Sequence, residues 1–209
     1  MELPSLIVKR LEIFLLLSNI HKGRGYWLNS IKLDPELIFF NISDEERNRR
    51  CYEFLCLGFS LGTIFNDFCT TSFVPTLAQL IHEYEWYFHL NYTGVSALSA
   101  VQPKPTVSPK QALVKINNVV QFQVFSLIPK IMDYDYFVVT NCLFEIVAAL
   151  YQKLLDLSSK NLLDFNLFKK IDSVLKERIL TRLVSELNTL ASKAVLSEIQ
   201  SIEVMLPSA

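Results

Sequence analysis

Long apolar runs alternate with short polar or proline-marked breaks, and within the runs the apolar positions recur at the α-helical period. From Pro4 to Ile20 apolar side chains leave only a narrow polar strip, and Gly23 and Gly25 follow the end. A helix apolar nearly all round is buried or shared with another chain. After the link HKGRGYWLNS, Asp34 reads as an N-cap with Pro35 at the first helical position. Ser43-Asp44-Glu45-Glu46 is a capping box that opens a long helix to Phe68, rich enough in Phe and Leu to be the central core helix. Gly58 and Gly62 stand four apart on it, so one face lacks side chains and another helix is expected to approach closely there. Pro75 reads as the start of a further helix to Leu90.

Residues 91–108, with Gly94, Pro103 and Pro105, read as an irregular loop. Ser108-Pro109-Lys110-Gln111 is a second capping box, which predicts a helix to Leu127 that Pro129 breaks or kinks. Asp133 and Asp135 cap a helix from Tyr136 to Leu157, and Asp164 caps another to Leu190. An amphipathic stretch to Ile202 follows, with Leu180, Leu183, Leu187, Leu190 and Ala194 on one face. The pattern predicts an all-α fold: one domain over 1–209, built of seven to nine helices, with the loop at 91–108.

Composition sharpens this picture. Apolar residues make up 51% of the chain and charged residues 20%, which excludes a disordered chain. With only five Gly, turn-rich all-β architectures and most phosphate loops are excluded. Net charge is −1, and Lys and Arg divide nine to eleven between residues 1–104 and 105–209. Without a clustered positive footprint, direct nucleic-acid binding is not expected. The longest uncharged run, Trp86–Pro103, holds Asn, Thr, Ser, Gly and Gln, so no membrane span is expected. Lys9, Arg10 and Glu12 interrupt the N-terminal apolar run where a secretion signal needs continuity. Cys51, Cys56, Cys69 and Cys142 form no CxxC and read as buried free thiols in a reducing compartment.

Candidate chemistry is sparse. His82, Glu85 and His89 fall on one helical face, which could hold a metal but reads first as a polar face. Glu145 sits between apolar neighbours and reads as solvent-facing on a polar seam. No acid–base pair is evident, so an enzyme is not expected. His21 ends the first helix, where the helix dipole favours an imidazolium. Exposed, it could instead give one ligand to a metal site completed by another chain. Tyr26, Trp27 and Leu28 lie beside it in the link as candidate partner-binding residues. Trp27 has two readings, an anchor for a partner or a plug of the core. The excess of apolar surface points to an interaction scaffold, and to a homodimer through faces left over by the first and C-terminal helices.

LIVKRLEIFLLLSNIHKGRGYWLN at 6–29 and SDEERNRRCYEFLCLGFSLGTIF at 43–65 resemble the bridge subunits of fission-yeast shelterin, the telomere-protecting complex. The resemblance implies a dimeric helical domain like the telomere-repeat-factor homology domain, without enzymatic activity, in the nucleus at chromosome ends. It implies binding of peptide segments from two telomeric adaptor proteins. Such a bridge links the subcomplexes on double- and single-stranded telomeric DNA and regulates telomere length. It also implies a zinc whose ligands come mostly from one partner peptide, with His21 as the candidate on this chain. The alternatives are a helical adaptor of a kinetochore or tethering complex, or a metalloenzyme using His82 and Glu85.

Overall fold

The computed structural model describes residues 3–67, 70–92, 114–116, 119–129 and 134–205. Among them the protein is mostly helical. The elements are α1 (Leu3–His21), β1 (Tyr26–Trp27), β2 (Ile31–Lys32), α2 (Pro35–Phe40), α3 (Asp44–Asp67), α4 (Thr70–Tyr92), β3 (Val114–Ile116), β4 (Val119–Gln121), α5 (Tyr136–Ser159), α6 (Phe165–Leu175) and α7 (Thr181–Met205). Helix starts follow the side-chain oxygens expected to cap them. Asp34 accepts from the Glu36 amide, Asp135 from Val138 and Asp164 from Leu167, while Ser43 Oγ accepts from Glu46.

The core is built around α5, which packs against α1 and α3. With a mean hydropathy and length that would also suit a membrane span, α5 places Leu143, Phe144, Val147, Leu150 and Tyr151 in the interior. α4 packs on α3 and α6, and α2 touches α1 and α7. Three polar ties, each with a buried side chain, link further elements. Arg10 of α1 forks onto Asp172 of α6 at 2.7 and 3.1 Å, and Tyr151 donates to the same carboxylate at 2.9 Å. Arg50 of α3 holds Glu186 of α7 at 2.6 and 2.8 Å. Glu83 of α4 accepts from the backbone amides of Gln123, Val124 and Phe125.

Four sequence expectations need correction. The helix expected over 108–127 is replaced, in its described part, by the antiparallel pair β3–β4 and an extended run. Val114, Ile116, Val119 and Val120 are β-branched, so strand preference overrides the capping box. Pro75 does not start α4 but lies inside it. The C-terminal helix does not stop at Leu190; α6 runs through a π turn, Lys176–Leu180, into α7 and on to Met205. Cys142 is exposed, whereas Cys51 and Cys56 are buried as expected. The loop placed at 91–108 lies, beyond Tyr92, outside the described residues, as do the Ser108 box and Cys69.

Candidate functional site

An apolar groove of about 620 Å³ lies between α3 and α5. Gly58 and Gly62 form its floor, and Phe59, Val138 and Ile146 stand along its walls. The two glycines lie on one face because residues four apart are neighbours on a helix. Close helix approach, expected at both, occurs only at Gly58, where an added Cβ would meet Ile146 at 3.7 Å and Leu143 at 3.8 Å. At Gly62 no atom of the described residues lies within 4 Å of such a Cβ, so among them the notch is open. Phe59 is 56% and Val138 60% exposed, although each carries a large apolar side chain. Among the described residues, none that lines the groove is charged. The sequence marked the glycine pair but not the open notch, because the distance between α3 and α5 is set by contacts far apart in the chain.

The structure separates the four residues singled out around the first link. Trp27 is buried, and its indole Nε1 donates to Asn188 of α7 at 2.9 Å. Of its two readings, the geometry supports the core plug. Trp27→Ala is expected to cost about 3–5 kcal/mol of stability by leaving a cavity and an unpartnered Asn188; equilibrium urea unfolding measures it. Tyr26 and Leu28, by contrast, are 53% and 66% exposed. Leu28 sits at φ +50° and Asn29 at φ +59°, the left-handed region that a leucine rarely adopts. Both residues close the β1–β2 hairpin, where the Ser30 amide donates to the Trp27 carbonyl at 3.2 Å.

His21 is not at an exposed helix end. It is buried under α2 and α7, beside Ile38, Asn41, Leu183 and Leu187, with Phe144 edge-on to its ring at 5.1 Å. Its Nδ1–H donates to the Leu17 carbonyl at 2.9 Å, and its Nε2 is buried with no hydrogen-bond partner. Burial pulls its pKa down to about 4, with the Leu17 hydrogen bond and Glu186 opposing and Arg50 assisting. The imidazole is therefore neutral at neutral pH, contrary to the dipole-stabilised cation expected at this position. The stabilisation from keeping it neutral is complete above pH 6.5. As the pH falls from 6.5 to about 4, the unfolded chain takes up a proton that the folded chain refuses. We expect about 3 kcal/mol to be lost in that window relative to a His21→Gln variant, measured by unfolding both proteins across pH.

His82 and Glu85 meet Lys170 and Glu177 in a cleft of about 350 Å³ between α4 and α6. Among the described residues no group of three or more His, Cys, Asp or Glu is placed to hold a metal. The third member of that motif, His89, has a side chain outside the described set. Glu145 faces solvent and pairs with Lys22 at 2.6 Å. Comparison with family models, curated proteins and solved structures finds no match.

Proposed function

We propose that this protein is a non-enzymatic adaptor that holds peptide segments of partner proteins. The α3–α5 groove is the observation that carries this reading. Its size, its uncharged lining and the open notch at Gly62 suit the apolar face of a helix or an extended apolar segment. Exposed Tyr26 and strained Leu28 supply a second, separate contact surface. Two independent surfaces are what a bridge between two partners needs.

With the resemblance at 6–29 and 43–65, the specific reading is a shelterin-type bridge in the nucleus. It binds two telomeric adaptors and so links the double- and single-strand subcomplexes. In this reading His21 gives one nitrogen to a zinc otherwise held by a partner peptide. The buried, unpartnered Nε2 fits one such bond, and three ligands must come from elsewhere. Since α2 and α7 cover that nitrogen, the partner has to displace α2 to reach it.

Gly62→Leu separates the readings. The added side chain enters open space and replaces a poor helix former, so the fold should be kept or stabilised by up to about 1 kcal/mol. Affinity capture from nuclei is expected to enrich telomeric adaptor proteins on the wild-type chain at least tenfold over the variant. Equal enrichment on both rejects the groove. Enrichment of kinetochore or tethering subunits replaces the telomeric reading with the other adaptor reading.

A further inference from the structure

A seam of charged side chains runs between α3 and the chain that passes from the π turn at Lys176–Leu180 into α7. Glu46 holds Arg49 in a fork at 2.8 and 2.9 Å, has Arg50 at 3.4 Å, and pairs with Arg182 as well. Glu186 takes Arg50 in a second fork and has Arg182 at 3.6 Å. Glu53 is buried, accepts from Tyr84 Oη at 2.5 Å and from Arg49 at 3.4 Å, and lies in the field of Arg178. Four guanidiniums therefore stand against three carboxylates. Arg178 is the one left over. Its side chain is half-buried, yet among the described residues it has no ion pair and donates no hydrogen bond. The acid before it in sequence, Glu177, lines the α4–α6 cleft instead. A guanidinium carries five donors in a planar fork, and its charge is never lost, so a partner of its own is what this one lacks.

We propose that Arg178 is a docking point for a single carboxylate carried by a partner, an Asp or Glu side chain or a chain-terminal carboxylate. The planar fork suits two parallel hydrogen bonds to that group. With the three glutamates ionised, the seam carries one positive charge in surplus, and one carboxylate cancels it. A phosphomonoester carries close to two negative charges and would stand as a surplus anion beside Glu53. Glu46, Glu53 and Glu186 are already engaged by Arg49, Arg50 and Arg182, so none of them turns to Arg178. A half-buried cation is also less screened than one on an open surface, which strengthens the pair it forms. The site lies on residues other than those of the groove and the hairpin. It adds a polar contact to those apolar ones and does not depend on them.

Acetate and inorganic phosphate, each titrated into the full chain at constant ionic strength, are the probes. NMR of the backbone amides of 176–182 and of the arginine Nε–Hε groups is the readout. Acetate is expected to shift the Arg178 Nε–Hε signal and the amides beside it along a curve that saturates in the millimolar range. Arg178→Gln is expected to abolish the saturable shift and to keep the urea midpoint of the wild type, since no bond within the chain is lost. Arg178→Lys, which keeps the charge without the fork, is expected to bind acetate about fivefold more weakly or worse. Shifts that rise linearly, or that persist in Arg178→Gln, reduce the effect to screening and overturn the proposal. Tighter binding of phosphate than of acetate overturns the carboxylate assignment. A lowered urea midpoint in Arg178→Gln makes the side chain an internal support of Glu53 and overturns the proposal as well.

Discussion

Arg50→Ala is expected to cost about 3 kcal/mol of stability, because it removes an almost completely buried cation from its ion pair. The Arg50 side chain is 1% exposed. Its two terminal nitrogens fork onto Glu186, and one also donates to Tyr136 Oη at 3.1 Å. Burial works against the charge, but the hydrogen bonds and field of Glu186 and Tyr136 outweigh it and leave the guanidinium more basic than usual. One side chain thus joins α3, α5 and α7. Without it Glu186 keeps, among the described residues, Arg182 at 3.6 Å, and Tyr136 Oη loses a buried donor. Glu186 is 27% exposed, so water relieves part of the loss, which places the effect at the lower end of what breaking a buried pair costs. Urea denaturation followed by circular dichroism measures it. The paired change Arg50→Met with Glu186→Leu should recover more than half, since it leaves no charge behind. A single-variant loss below about 1 kcal/mol would show that Arg182 alone can satisfy Glu186.

Glu83→Ala is expected to cost at least about 3 kcal/mol, through three backbone amides rather than through a charge pair. The Glu83 carboxylate is fully buried. One oxygen accepts from Gln123 N at 2.8 Å and from Gln79 Nε2 at 2.7 Å; the other accepts from Val124 N at 2.9 Å and Phe125 N at 2.8 Å. The run it holds carries Phe122 and Phe125, which pack against Tyr84, Trp86, Tyr87 and Phe88. Removing the carboxylate strands the amides of 123–125 and loosens the aromatic cluster. Glu83→Gln, which keeps one acceptor oxygen, should cost less. Amide hydrogen exchange provides the local reading. Protection at 123–125 should collapse in Glu83→Ala while α5 remains protected, and uniform loss along the chain would mean that the whole fold has failed.

These two side chains also show where the sequence stops being readable. Acidic caps were the reliable local signal. Asp34, Asp135 and Asp164 announced helix starts because a cap and the amide it receives lie within three residues. Arg50 and Glu186 are 136 residues apart, and Arg10 and Asp172 are 162 apart, so no spacing marks either pair. Glu83 reads as one more acid on a helix until the 123–125 amides arrive from across the fold. The β3–β4 hairpin was misread for a different reason. Its apolar run is short, and a capping box upstream outweighed the β-branched residues. Trp27 stayed ambiguous because its deciding partner, Asn188, lies in the last helix. In the groove the Gly58–Gly62 pair was legible, but whether a neighbour filled the space over Gly62 was not. His21 was seen as chemically unusual, yet its burial depends on α2 and α7.

From Phe165 to Met205 the chain forms one continuous helical rod, interrupted only in pitch by the π turn at Lys176–Leu180. A π turn holds one residue more than the α-helical path needs. The turn absorbs that residue, so α7 leaves it in the phase of an uninterrupted α-helix one residue shorter. Each residue turns an α-helix by about 100°, so tightening the turn to α pitch at full length would swing Leu183, Leu187 and Leu190 away from the interior and carry Glu186 off Arg50. The surplus residue is slack taken up in place: its loss would leave the register of α7 intact, whereas regularising the turn would not.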